Sequence, residues 1–176
     1  PTTLAVASAS SASIAGTSRR LEILNALDIV SGQYVLDIGC GGGHLLEEIA
    51  KAVGPEGKAY GLDTSEDQLN QARKRCSLFK NVFTIKGYAN QINLENNSCD
   101  SICSVQTFEY IDNVDDSIKE LTRILKPSSI FVNISILWEY YKFFGADEEL
   151  NKTIHDTFKA HCFHQMLPTS LEGRLK

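Results

Sequence analysis

Val35-Leu-Asp-Ile-Gly-Cys-Gly-Gly-Gly43 decides how the rest of the chain reads. With Tyr34 its first half is an apolar run of strand length. A helical face follows, Leu45, Leu46, Ile49 and Val53, which stops at Gly54-Pro55. Strand, glycine loop and helix in this order make a ligand cradle. Glycine lets the backbone turn sharply and lets a ligand come close. The helix N-terminus behind it offers free N–H groups. The spacing is Asp37-x-Gly39-x-Gly41-x-Gly43. A dinucleotide loop wants its third glycine where this chain has His44, which argues against a nicotinamide-dependent oxidoreductase.

Outward from the loop, strands and helices alternate. Ser18 to Leu27 reads as a short amphipathic helix ahead of the first strand, Tyr34 to Ile38. Lys58 to Leu62 is a second strand. Ser65 caps the next helix, with Gln68 placed to complete a capping box. Val82 to Lys86 and Ser101 to Val105 are the third and fourth strands. Asp115 to Leu125 is a helix, Ile130 to Ile136 the fifth strand, and Glu148 to His161 a last helix. Such alternation means βαβ units and a mostly parallel sheet covered on both faces, an α/β, doubly wound fold. Residues 1–16, nearly all Ala, Ser, Thr and small apolars, read as a flexible leader; 17–176 read as one domain.

Composition narrows the function classes. Hydrophobic residues at 43% and charged residues at 22% are an ordinary globular mixture, which excludes disorder over most of the chain. The longest clean apolar run is about eight residues, against ~20 for a bilayer span. A net charge of −5 argues against nucleic-acid binding by a basic surface. The basic run Arg73-Lys-Arg75 reads as cations at a helix C-terminus. Five scattered cysteines do not make a disulfide framework and point to a reducing, cytoplasmic setting. A Ser-rich, acid-poor leader is also what an organellar transit peptide leaves. No spacing suggests a metal site: His155, His161 and His164 lack a completing acid.

The motifs resemble those of class I S-adenosylmethionine-dependent methyltransferases. The glycine loop resembles that family's methionine-binding loop. Gly61-Leu-Asp63-Thr-Ser65 looks like its second motif, Gly87-Tyr-Ala-Asn-Gln-Ile-Asn-Leu-Glu-Asn-Asn-Ser-Cys-Asp100 like its G-D-A-x-x-L-P-F-x-D-x-S-F-D segment, Val105-Gln-Thr-Phe-Glu-Tyr-Ile-Asp112 like the motif after the fourth strand, and Leu125-Lys-Pro-Ser-Ser-Ile-Phe-Val132 like the turn before the fifth. The order looks most like the small-molecule, ubiquinone/menaquinone-biosynthesis branch. Trp138 stands where relatives often carry an Asp-Trp pair.

The resemblance implies strand order 3-2-1-4-5 and S-adenosylmethionine as cofactor, leaving as S-adenosylhomocysteine. It implies Asp37 at the cofactor's amino group and Gly39, Cys40 and Gly41 at its methionine part, with Gly43 in the same loop. Asp63 would hold the ribose, with Thr64 beside it, and Tyr88, Ala89 and Asn90 the adenine; Gln106 completes the set. Glu109, Tyr110 and Trp138 are candidates to touch the acceptor, a small molecule. His44 reads as a solvated or packing residue. Tyr88 replaces the acid that usually receives the adenine amino group, and Ser128-Ser129 replaces a double glycine. No strand-like run follows Ile136, so the usual sixth and seventh strands are expected to be missing and the domain C-terminally incomplete. A bare fifth strand with no Pro, Lys or Glu over Ile130 to Ile136 favours a homodimer through that edge. The remaining alternative is a cofactor-binding remnant without transferase activity.

Overall fold

A computed structural model describes residues 13–174. Helix α1 (Ile14–Leu27) leads into β1 (Tyr34–Ile38), α2 (His44–Val53), β2 (Lys58–Asp63), α3 (Glu66–Arg75), β3 (Val82–Lys86), β4 (Cys99–Val105), α4 (Val114–Ile124), β5 (Leu125–Ile134), α5 (Glu148–Lys159) and α6 (Leu167–Arg174). The five strands form one sheet in the order β3-β2-β1-β4-β5, every pair parallel. The expected doubly wound order is found, and β5 is its edge strand.

The pleat sends alternate side chains to opposite faces. In β1, Val35 joins a core with Ile23, Leu46, Ile49, Leu69 and Ala72, from α1, α2 and α3. Leu36 and Ile38 join the other core, with Ile118, Leu121 and Ile124 from α4 and Leu167 and Leu171 from α6. Helix α4 starts at Asn113, whose side chain accepts from the Asp116 N–H, and its acids Asp115 and Asp116 favour that end of the helix dipole.

Beyond shifts of one or two residues at element ends, the elements differ from the sequence reading in four places. Helix α1 begins at Ile14, because Ser13 caps it by accepting from the Gly16 N–H. The last residues assigned to a leader are therefore helical, and residues 1–12 lie outside the described residues. At α3, Ser65 caps by accepting from the Gln68 N–H, but the Ser65 N–H donates to the Asp63 carboxylate, so the capping box is not reciprocal. The fifth strand starts at Leu125, directly after α4: Cys99 faces Leu125 and Ser101 faces Ile130, so residues 126–129 bulge out of the ladder. Ser128 there takes φ 65°, the conformation that glycine favours. Helix α6 has no counterpart in the sequence pattern. It is eight residues long with Pro168 at its second position and Gly173 near its end, and only Leu167 and Leu171 carry its buried face.

Candidate cofactor site

The strand order reverses between β1 and β4, and a crevice opens beyond the carboxyl ends of the strands at such a point. Two cavities lie there, of about 710 and 320 Å³. Gly39, Gly41, Gln106, Thr107 and Tyr110 belong to both walls, so the cavities are contiguous.

The glycine loop is stapled to the end of β2. The Gly39 and Cys40 N–H groups both donate to the Leu62 carbonyl, at 2.8 and 3.0 Å. The Gly41 N–H donates to Asp63 Oδ2 at 2.9 Å, and the Ser65 N–H to Asp63 Oδ1 at 2.9 Å. A carboxylate has about four acceptor positions. Asp63 therefore fastens the loop and keeps capacity for two further donors from the larger cavity, whose wall it forms with Thr64, Tyr88, Ala89 and Asn90.

Gly39 has φ 72°, and a Cβ there would stand 2.1 Å from Thr107 Oγ1. No other residue fits without moving the β4 loop. Gly43, in the same loop, lines neither cavity. It caps α2 at φ 79°, with the Ala72 backbone 2.8 Å from where a Cβ would sit. It brings α2 and α3 together, one step behind the loop.

The smaller cavity holds Asp37, Cys40, His44 and, from α1, Arg19 and Arg20. Asp37 is buried, and the Cys103 thiol donates to its Oδ1 at 3.8 Å. Burial pushes its carboxyl up to about 7, the nearby Asp63 charge adds to this, and the thiol opposes it. His44 faces Arg75, whose Nη2 lies 3.0 Å from His44 Nε2 and whose Nε–H donates to the Gly42 carbonyl at 2.9 Å. Arginine has no acceptor, so Nε2 accepts, and desolvation first and Arg75 second lower the imidazole's pKa. The histidine is a neutral prop for the loop.

The three acceptor-facing candidates separate. Tyr110 lines both cavities. Glu109 and Trp138 line neither. Glu109 is fully buried, accepting from the Ser135 hydroxyl at 2.8 Å, and burial raises its pKa. Trp138 is buried and stacks on Phe158 with ring centroids 4.1 Å apart. Both residues brace the segments after β4 and β5. Gln106 lines both cavities, at φ 50° and with its N–H donated to the Ile134 carbonyl at 2.7 Å.

The walls also contain residues the sequence did not single out. Gln68 sits beside the glycine loop, and Thr107, Asn113 and Ser117 follow β4. Phe163 comes from the far end of the chain. Gln68 carried only a capping signal, and nothing local marks Phe163. The five cysteines are buried and unpaired, and no group of three or more metal-ligating side chains gathers among the described residues.

A family model described as a methyltransferase domain matches residues 29–173. The chain belongs to the methyltransferase domain family. The domain is 29% identical over 160 residues to an uncharacterised 37.1 kDa protein in transposon Tn4556 of Streptomyces fradiae, covering 91% of this chain and 45% of that one. It is 29% identical over 113 residues to demethylmenaquinone methyltransferase of Staphylococcus aureus, covering 64% and 47%. The chain thus spans about half the length of the curated relatives it matches. A SAM dependent methyltransferase from Aquifex aeolicus superposes with a TM-score of 0.65 at 27% identity, covering 79% of this chain and 77% of that one. S-adenosylmethionine, not a nicotinamide, is the cofactor of this family. Among the described residues no helix is long and apolar enough to cross a membrane.

Proposed function

We propose that the domain binds S-adenosylmethionine along the two contiguous cavities and transfers its methyl group to a small-molecule acceptor. The observation that carries this reading is the shared wall: one glycine loop between two cavities, with Asp63 lining the larger and Asp37 the smaller. The fit is chemical. Asp63 has free acceptor positions for two ribose hydroxyls, Asp37 is a buried acid with room for a cationic amine, and Tyr88 offers an exposed ring to a base. A cavity of about 710 Å³ lies within the ~300–1,000 Å³ usual for such ligands.

Bound there, the cofactor supplies an electrophilic methyl carbon on a sulfonium. The protein's part is alignment and exclusion of water. The glycine loop and Gln106 fix the direction of the reacting centre. Tyr110 and Phe163 form an aromatic wall for an acceptor with apolar surface. The setting is cytoplasmic, and β5 offers its free edge to a second copy. Calorimetric titration with S-adenosylhomocysteine, followed by turnover on a panel of small phenolic and quinone-like acceptors, tests the reading. Absence of binding overturns it; binding without turnover on any acceptor favours a cofactor-binding domain without transfer.

A further inference from the structure

The segment between β3 and β4 brings Tyr88, Ala89 and Asn90 to the larger cavity, yet it has little regular structure of its own. Its internal support is a bridge between Tyr88 and Gln91 and short turns. Further groups of its second half are held from one turn of α4. The Ile92 N–H donates to Glu120 Oε1 at 2.6 Å. Arg123 donates to the Ile92 carbonyl at 2.9 Å, the Leu94 carbonyl at 2.9 Å and the Asn96 side-chain oxygen at 2.7 Å. The Arg123 carbonyl receives the Asn97 N–H at 3.0 Å. Glu120 and Arg123 hold each other through two bonds of 2.8 Å.

We propose that Glu120 and Arg123 are positioning residues that set the domain's selectivity for adenine. This rests on the S-adenosylmethionine reading. The argument turns on Tyr88. Where a carboxylate receives the adenine amino group, selectivity resides in one side chain. Here the exposed Tyr88 has no carboxylate, which leaves the Ala89 backbone and the Asn90 amide in the cavity wall to read the base edge. Backbone groups select a base only if the loop is rigid before the ligand arrives, because ordering it on binding would cost the affinity gained. The planar guanidinium makes several fixed bonds at once, which an ammonium cannot. Glu120 accepts from both the guanidinium and the Ile92 N–H, so it couples helix to loop.

The test compares S-adenosylhomocysteine with its inosine analogue, which has a carbonyl in place of the adenine amino group. The intact protein binds the adenine form more tightly. Arg123→Lys and Glu120→Gln lower affinity for S-adenosylhomocysteine about tenfold, while affinity for the inosine analogue changes less than about threefold, so the preference collapses. Amide exchange over residues 88–97 accelerates in both variants. Asn96→Ala, exposed and outside the cavity walls, shows the same direction with a smaller loss and keeps the test usable if the other variants fold poorly. Equal losses for both ligands, or an unchanged preference, overturn the proposal. If the intact protein binds neither ligand, the underlying cofactor reading fails instead.

Discussion

The Gly41 N–H donates to the Asp63 carboxylate at 2.9 Å, tying the glycine loop after β1 to the end of β2. Asp63 also lines the larger cavity. One acid therefore shapes the loop and faces the ligand, and removing it acts through both routes. Asp63→Ala is expected to weaken S-adenosylhomocysteine binding by about 1.5–3 kcal/mol, the cost of hydrogen bonds to a charged group. Unchanged affinity by calorimetry would contradict the ribose assignment.

Asp37 carries a pH signature. Its carboxyl is raised to about 7 in the folded protein, against about 3.9 unfolded. The folded state thus holds the proton more tightly. The stability it confers is complete below about pH 4 and is lost as pH rises to about 7. Thermal midpoints should fall over this range, and Asp37→Asn should flatten that fall while raising the midpoint at pH 8. Pairing with a cationic amine needs the ionised acid, so S-adenosylhomocysteine affinity should rise from pH 6 to 8 in the intact protein only. A variant with the same pH profile as the parent would exclude Asp37 from both roles.

His44 lines the smaller cavity but spends its Nε2 on Arg75. His44→Asn should leave cofactor affinity within about threefold, as for substitutions worth about ±0.5 kcal/mol. A hundredfold loss in the same titration would show a direct role.

Ser128 occupies a left-handed conformation at φ 65° in the bulge that opens β5. Ser128→Gly should stabilise the fold by up to about 1 kcal/mol, the relief of the Cβ clash less the added freedom of the unfolded chain. Denaturant unfolding measures this, and a destabilised variant would mean the serine side chain has a partner of more value.

Strand β5 ends the sheet, and its Ile130 is exposed. Unpaired strand edges template further pairing. Sedimentation equilibrium should show reversible dimerisation that grows with concentration; a monomer throughout would remove the edge as an interface.

Local chemistry determined much of this protein from sequence alone. The strand–glycine loop–helix of residues 34–53 is legible because pleat, turn and helical face each leave a short-range pattern. Asp63 and Gln106 are legible because they stand in segments that resemble the family's motifs after the second and fourth strands. The order 3-2-1-4-5 was legible from the family's motifs in register. Tertiary structure decided what no local pattern encodes. Gly43 serves helix packing because Ala72, far along the chain, comes within a Cβ's reach. Glu109 and Trp138 turned inward because residues 135 and 158 arrived to receive them. Phe163 reached the cavity only because the chain returns across the site before α6 fills the core with Leu167 and Leu171. Short-range periodicity sets which residues are apolar on one face; which distant residue meets that face depends on how the whole sheet and its helices close around it.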